Sequence, residues 1–435
     1  MSLSGRLMLL FALGLVAAPA VAQDTANVAA VPIPGSEYEI SVLTAGAGAE
    51  VWERWGHNMI RVHDLASGED VAYNWGMFSF AQEGFVLHFL MGRMHYWMAP
   101  AGTSETVRLY RWRDRTLVQQ HLALTPAQRL ALVQFLEWNA QEEHKYYRYD
   151  YYLDNCSTRL RDALDRVLGG ALRSATDSVP AGTTFRRETR RLSAGALPLY
   201  TGLMLGLGPA TDRPITQWEE MFLPVRTMEH LRAVQVAGPA GTLVPLVSSE
   251  DTLYISQRFA EPIDAPRKVP LYLAIGLTLG ALLLLTGMYA RPRAFLIVGA
   301  LFALVIGSGG ALLTFLMVFT DHAVTYGNEN ALLLSFLTLI LAPVLRPAIA
   351  GAPRAQRLAQ GLAVAVAGLA LTALVIKAFP FARQDDWEMI ALFLPIDLGL
   401  AAGTIFSFNG PRWRPPPGAV ARGECKYRVG DERER

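Results

Sequence analysis

The sequence predicts an α+β exported domain followed by an all-α membrane domain of about five transmembrane helices. Three observations support this fold class: a short apolar run near the N-terminus, mixed strand and helix patterns up to about residue 265, and five apolar segments after it. The formal net charge is only +1. The composition therefore lacks the basic footprint of a nucleic-acid-binding protein, and we expect no nucleic-acid partner.

The first residues have the pattern of a secretory signal peptide. Arg6 supplies a positive charge, Leu7 to Val16 form an apolar run, and Ala20-Val21-Ala22 is a small-residue cleavage site. The apolar run is too short to cross a bilayer. We therefore expect residues 1–22 to be removed and the mature chain to begin at Gln23.

The C-terminal part of the chain is typical of a membrane domain. Its apolar segments each have close to the ~20 residues that a helix needs to cross the hydrocarbon layer. They cover roughly residues 270–290, 294–319, 329–345, 358–379 and 387–408. If the preceding domain is exported, the arginines between segments one and two, and between three and four, face inside, as the positive-inside rule requires. The tail with Cys425 is then cytoplasmic.

These patterns divide the chain into four regions. We predict a signal peptide over 1–22, an exported domain over 23–265, a transmembrane domain over 266–409 and a cytoplasmic tail over 410–435.

Within the exported domain, alternating apolar residues predict a strand at Glu39–Leu43. Two further alternating runs, Asn58–His63 and Val71–Trp75, flank a polar loop and predict a hairpin. We expect another strand at Val107–Trp112. The run Thr125-Pro126-Ala127-Gln128 predicts a helix start, because it combines a capping threonine, an early proline and a glutamine three positions on.

Cys156 is the most informative residue in this domain. The only other cysteine is Cys425 in the predicted cytoplasmic tail, so Cys156 has no disulfide partner in an oxidising compartment. A helix follows it, with Asp154 or Asn155 as N-cap, and this places the thiol in the first turn. There the helix dipole and free N–H groups lower a thiol pKa. We interpret Cys156 as a nucleophile on a helix packed against a sheet, an arrangement typical of papain-like enzymes; a buried structural cysteine is the alternative.

A cysteine nucleophile needs a base. Among the histidines we favour His57, which follows a Trp-Gly pair at the head of a predicted strand. We expect His63 to face solvent, and His88 to be a core or surface residue. Asn74, on the strand returning beside His57, is our candidate for the group that orients the imidazole; an ordinary strand-end asparagine is the alternative.

Four motifs together resemble those of the Lnb-type bacterial lipoprotein N-acyltransferases, and the similarity covers most of residues 36–235. Similarity extends to the membrane part, at Thr320-Asp321-His322 and Asn328-Glu329-Asn330. The motifs are Trp55-Gly56-His57-Asn58, Tyr73-Asn74-Trp75-Gly76-Met77-Phe78, the run from Tyr149 through Cys156 to Arg159, and Asp212-Arg213-Pro214 followed by Phe222-Leu223-Pro224.

This resemblance implies a circularly permuted papain-like domain, with its core at about 36–175 and an extension to about 235. It also implies a reaction without cofactor or metal. Cys156, deprotonated by His57, would take an acyl chain from a phospholipid as a thioester. The α-amine of the N-terminal lipidated cysteine of a diacylated lipoprotein would then accept that chain. The protein is accordingly expected in the bacterial inner membrane, with its catalytic domain in the periplasm.

Several charged or polar residues are weaker candidates for substrate binding. Arg159 follows the cysteine and could instead pair with Asp162. Asp397 lies in the middle of the fifth apolar segment, where ionisable groups are costly and often functional, or belong to a buried hydrogen-bond network. The outside-loop residues His322 and Asn330 could contact substrate. The arginines of 186–191 could meet lipid head groups or form a solvated helix face.

Two other functions use the same features. A papain-like peptidase or amidase acting on cell-wall peptides would need the same Cys156–His57 pair, in an open polar groove away from the bilayer. A non-enzymatic membrane sensor would bind a ligand in the exported domain and would function without Cys156.

Overall fold

The computed structural model describes residues 33–238 and 242–409. The predicted signal peptide and the predicted tail with Cys425 lie outside these residues. A mixed α/β domain occupies residues 38–254, and apolar helices follow it, which confirms the predicted fold class. The predicted boundary at 265 falls in a stretch, 255–268, that has neither helix nor strand; the boundary itself stays a prediction.

The described residues form eleven strands. They are β1 (Tyr38–Ala45), β2 (His57–Asp64), β3 (Asp70–Met77), β4 (His95–Gly102), β5 (Leu117–Leu122), β6 (Tyr146–Arg148), β7 (Pro180–Thr184), β8 (Pro214–Thr216), β9 (Gln235–Ala237), β10 (Leu243–Pro245) and β11 (Val247–Tyr254).

The same residues form fourteen α-helices. In the α/β domain they are α1 (Phe85–Leu90), α2 (Thr103–Trp112), α3 (Pro126–Ala140), α4 (Cys156–Val167), α5 (Ala171–Thr176), α6 (Phe185–Ser193), α7 (Leu197–Gly206), α8 (Gln217–Glu220) and α9 (Pro224–Ala233). In the membrane domain they are α10 (Val269–Tyr289), α11 (Pro292–Phe319), α12 (Leu337–Ile349), α13 (Pro353–Val375) and α14 (Trp387–Asn409).

An antiparallel sheet organises the α/β domain. Its seven strands within the described part of the chain lie in the order β11-β5-β1-β2-β3-β4-β6. The pairing of β2 with β3 confirms the predicted hairpin. One face of the sheet packs against α3 and α4 through residues such as Leu136 and Leu160. The opposite face packs against α2 through Tyr110.

The predicted strand at Val107–Trp112 is wrong, because this run is the second half of α2. The buried side chains of α2 are Thr103, Thr106 and Tyr110, which recur every three to four residues as on a helix face. Glu105 in the first turn and Arg111 in the last turn also complement the helix dipole. Of the run that favoured a strand, Tyr110 is buried, whereas Arg108, Leu109, Arg111 and Trp112 are exposed.

Five segments of the described chain are long and apolar enough to cross a membrane, and their bounds agree closely with the predicted ones. Helices α10 and α14 make the closest approach. A Cβ added at Gly399 would lie 2.2 Å from the carbonyl oxygen of Gly280. Small residues that allow such backbone contact are the usual basis of helix association in lipid. The third span is not one helix, since a 3-10 turn at Glu329–Leu332 precedes α12.

The α/β domain is docked on the membrane domain through buried polar contacts. The Tyr200 hydroxyl of α7 donates a 2.6 Å hydrogen bond to Glu388 of α14. Three of the four arginines of α6 are buried, so this cluster neither meets lipid head groups nor forms a solvated face. The three buried arginines form ion pairs with acidic residues instead. Their ion pairs are Arg186 with Asp212, Arg190 with Asp385, and Arg191 with Glu188 and Glu261.

Candidate active site

Cys156 is the first residue of α4, in agreement with the expected helix start. The side chain of Asn155 caps the helix by accepting hydrogen bonds from the N–H groups of Ser157 and Thr158, at 2.9 and 3.0 Å. Its amide nitrogen donates to the carbonyl oxygens of Tyr151 and Phe222, both at 3.0 Å. This single side chain therefore fixes the thiol's position at the end of the helix.

His57 and Asn74 lie side by side on β2 and β3. His57 Nε2 is 3.2 Å from Asn74 Oδ1. The Asn74 amide nitrogen donates to the carbonyl oxygen of Ala72 at 3.0 Å, so Oδ1 is the atom that faces the imidazole. Nε2 then carries the imidazole proton, and Nδ1 is left as the proton acceptor. A chain of this kind, with an amide orienting the histidine, is what a cysteine nucleophile needs.

Gly76 shows how close the histidine and the cysteine are. Its φ of +87° is a conformation that other residues rarely adopt. A Cβ added there would lie 3.3 Å from the Cys156 Cβ and 3.9 Å from the His57 Cε1. The Cys156 side chain and the imidazole therefore both approach the space beside Gly76, which the absence of a Cβ leaves open.

Burial disfavours the charged forms of both the Cys156 thiol and the His57 imidazole. Burial raises the pKa of the Cys156 thiol, although hydrogen bonds from the N–H groups of Asn58 and Ser157, and the positive charge of Arg115, act in the opposite direction. Burial and Arg115 lower the pKa of His57 to about 4, against the hydrogen bond with Asn74. The expectation of a thiol acidified by its helix start is therefore wrong for the net pKa, because desolvation outweighs the helix N–H groups.

Cys156 and His57 nevertheless keep part of their surface accessible to solvent. At rest the thiol and the imidazole are thus both neutral, and both are half-exposed in the same part of the domain. Such a pair transfers its proton while the sulfur attacks, so His57 would act as a general base rather than as a standing counter-ion.

Tyr147 is a polar residue at this site that the sequence analysis missed. Its hydroxyl oxygen is 3.9 Å from the Cβ position of Gly76. Within the described residues the hydroxyl makes no hydrogen bond of ordinary geometry, although the Gly76 N–H lies near it. Burial and the neighbouring Cys156 hold its pKa well above the usual range, so it is a neutral donor. The alternation of tyrosines at 147 and 149 before the cysteine motif was the available signal.

Two further basic candidates, Arg159 and His63, pair with acidic residues. Arg159 pairs with Asp154 through Nε and Nη2, at 2.5 and 2.6 Å, rather than with Asp162. Its guanidinium lies 4.3 Å from the centre of the Tyr147 ring. His63 is 3.5 Å from Glu39, at the end of β2 opposite to His57, and is therefore not placed to serve Cys156.

The membrane-domain candidates are His322, Asn330 and Asp397, and Cys156 is not among their hydrogen-bond partners within the described residues. His322 contacts the carbonyl oxygen of Phe89 at 2.9 Å, and Asn330 donates to carbonyl oxygens of α7; both join the two domains. Asp397 is fully buried in α14, and its carboxylate has no hydrogen-bond partner among the described residues. Substrate binding by these residues stays a prediction.

No group of three or more His, Cys, Asp or Glu side chains within residues 33–238 and 242–409 is arranged to hold a metal ion.

Comparison with known proteins gives two matches to family models. The Lnb N-terminal periplasmic domain matches residues 30–190, and the Lnb transmembrane domain matches residues 265–396. No curated protein and no solved structure matches the chain. The two models follow one another in the order of the two domains described above and together cover most of the chain. The protein is therefore a membrane protein with a periplasmic N-terminal domain, and it belongs to the Lnb family.

Proposed function

We propose that the protein is a lipoprotein N-acyltransferase that works through a Cys156 thioester. The acyl donor is a membrane phospholipid, and the acceptor is the α-amine of the lipidated N-terminal cysteine of a diacylated lipoprotein. The observation that carries the proposal is a half-open Cys156–His57–Asn74 arrangement in a domain docked on a membrane bundle. The family match supports the same conclusion.

In the first half-reaction, His57 Nδ1 takes the thiol proton while the sulfur attacks the ester carbonyl carbon. The tetrahedral intermediate collapses to a thioester, and the lysophospholipid leaves as an alcohol with the proton that His57 returns. The developing oxyanion needs hydrogen-bond donors. The N–H of Cys156 at the helix start and the neutral hydroxyl of Tyr147 are the candidates.

In the second half-reaction, the lipoprotein amine attacks the thioester. His57 removes a proton from the attacking nitrogen and then protonates the departing sulfur, so an amide forms and the free thiol returns. Thioesters react readily with amines, and burial around the site limits competing attack by water. The neutral imidazole, with its pKa lowered to about 4, is available as a base over the whole physiological range.

The peptidase or amidase alternative shares the same three residues, and the sensor needs none of them. Both are separated from acyl transfer by the N-terminal modification of lipoproteins in cells. Lipoproteins from a deletion strain should lack the N-terminal acyl group in mass spectra, and the wild-type chain should restore it. Cys156→Ser should fail to restore it, whereas the matched variant Cys425→Ser should succeed. Full restoration by Cys156→Ser would sink the nucleophile assignment and leave the sensor as the better reading.

A further inference from the structure

Helix α1 exposes most of its apolar side chains, and His88 is its one polar residue. No residue of this six-residue helix is buried, and Val86 and Leu87 are 78% and 60% exposed. Phe89 on the same helix and Phe80 just before it are also exposed. A contiguous apolar surface of this kind is unfavourable in water and marks an interaction site.

This segment is attached to the outer end of a membrane span. The carbonyl oxygen of Met91 accepts a hydrogen bond from the N–H of Asp321 at 2.9 Å, and Arg93 pairs with Asp321 at 2.8 Å. Asp321 follows α11, whose last residue, Phe319, is 64% exposed. Helix α1 therefore lies at the level where this span leaves the hydrocarbon layer.

A line of aromatic rings connects α1 with the thiol. Phe85 of α1 stacks on Phe78, with centroids 6.2 Å apart, and Phe78 stacks on Tyr96 at 5.1 Å. Tyr96 stacks on Tyr149 at 4.3 Å. Tyr149 is close enough to Cys156 that a thiolate there raises the pKa of its phenol, after the larger effect of burial. We refer to Phe85, Phe78, Tyr96 and Tyr149 as the aromatic wall.

We propose that α1 inserts into the membrane leaflet on the side of the catalytic domain, and that a phospholipid acyl chain reaches Cys156 along the aromatic wall. This inference rests on the proposed function and specifies how its donor is bound. Its physical basis is that each CH₂ group of an acyl chain that moves from the bilayer into water loses its apolar surroundings, which is unfavourable. The aromatic rings along the path replace those surroundings. The ester group then arrives at the thiol while the tail is still covered.

The occupant is a lipid rather than a second protein because the apolar surface continues into the membrane span through α11. Short apolar helices of this kind bind the interface by burying their side chains at the boundary between head groups and acyl chains. Because Val86, Leu87 and Phe89 are all exposed, the helix requires extended apolar surroundings, which a leaflet supplies.

The test uses the full chain in phospholipid nanodiscs, without an acceptor. The acyl mass gained by the Cys156 peptide is followed with bilayer phospholipid as donor, and separately with a water-soluble short-chain thioester. The double variant Val86→Ser/Leu87→Ser should lower the ratio of the first rate to the second by about tenfold or more, given the apolar surface that it removes. The matched control is Leu65→Ser, which changes an equally exposed leucine (53%) just beyond the end of β2 opposite to His57.

Each outcome has a distinct meaning. An unchanged ratio in the double variant overturns the inference, and so does an equal loss of both rates, since α1 would then support the fold. If the wild-type chain is acylated by the soluble thioester but by no phospholipid, the proposed donor is wrong. If neither reagent acylates it, the proposed nucleophile is wrong.

A second measurement does not depend on turnover. Phospholipid with a photoactivatable group on its acyl chain should label the peptide that contains Phe80 to Leu90 in the Cys156→Ser chain. The peptide around Leu65 should stay unlabelled. Labelling confined to the five spans would contradict insertion of α1.

Discussion

At the scale of single residues, the central feature is the Cys156 thiol. Burial disfavours its charged form, whereas neighbouring N–H groups and Arg115 favour it. Cys156 accepts hydrogen bonds from the N–H groups of Asn58 and Ser157, yet burial raises the net pKa of its thiol. Under the proposed mechanism, the neutral imidazole of His57 takes the thiol proton as the sulfur attacks, so the thiol need not be ionised beforehand. This view leads to three predictions at the same scale.

The covalent intermediate is the first. Purified protein given phospholipid alone should gain one acyl mass on the peptide containing Cys156, and hydroxylamine at neutral pH should remove it. His57→Ala should prevent the adduct, whereas Asn74→Ala should only slow it, because Asn74 orients the ring through a 3.2 Å hydrogen bond. A normal adduct in His57→Ala would mean that another base serves Cys156. His63 is poorly placed for that role, since it contacts Glu39.

The second concerns pH. His57 must be neutral to accept the thiol proton, and its pKa is lowered to about 4. The rate of Cys156 acylation should therefore persist below pH 6 and be lost as the pH falls through about 4, rather than through the ordinary histidine value near 6.5. Asn74→Ala removes the hydrogen bond that raises this pKa, so the acid limb should move to lower pH. An acid limb near 6.5 in the wild type would contradict the buried neutral pair.

The third concerns Tyr147. If its hydroxyl stabilises the oxyanion, Tyr147→Phe should lower the rate constant of Cys156 acylation on the order of a hundredfold, with little effect on binding of the donor. The matched control is Tyr146→Phe, whose hydroxyl contacts Glu142 at the surface instead. Equal rates for the two variants would remove Tyr147 from the reaction.

At the scale of elements, the start of α4 connects stability with catalysis. Asn155→Ala removes the cap and leaves two helix N–H groups and two carbonyl oxygens without their partner. The expected loss of folding free energy is about 1–2 kcal/mol, with a larger loss of activity because Cys156 moves with the helix end. Thermal unfolding and acylation rates measured together test this.

The control is a cap on another helix. Thr125 caps α3 through the same kind of reciprocal contact with Gln128, so Thr125→Ala should cost a similar amount of stability while acylation stays near the wild-type rate. If both variants lost activity in proportion to stability, the cap of α4 would have no special role in positioning the thiol.

At the scale of the whole molecule, function depends on how the periplasmic domain is docked on the five spans. Glu388 is buried, accepts the Tyr200 hydroxyl and the N–H of Lys268, and lies 3.9 Å from Arg190. Glu388→Ala removes the 2.6 Å hydrogen bond of the buried Tyr200 hydroxyl, and the loss of a buried hydrogen-bond partner costs about 1–3 kcal/mol. We expect faster proteolysis between residues 254 and 269, where the chain has no helix or strand.

Glu142→Ala is the matched control for this docking prediction, because Glu142 forms an exposed pair with Lys145 and exposed pairs contribute little. If Glu388→Ala were no more sensitive to protease than Glu142→Ala, the buried contacts would not hold the two domains together.

Local patterns account for what the sequence by itself determined. The five spans, the β2–β3 hairpin and the caps at Thr125 and Asn155 depend on hydrophobic periodicity and on side chains within a few positions of each other. The nearness of His57 to Asn74 followed from the hairpin, since adjacent strands bring such residues together. Helix α2 was the exception, because the short run Val107–Trp112 is too brief for its period to separate a strand from a helix.

The tertiary structure decided everything that depends on partners distant in sequence and on burial. The arginines of α6 form a charged run in sequence, yet their acidic partners lie as far away as Asp385, so they are buried rather than solvated. Tyr147, the aromatic wall and the net pKa of Cys156 likewise emerge only when the chain is folded. Desolvation and ring packing depend on residues that are far apart in the sequence, so a local sequence pattern does not predict them.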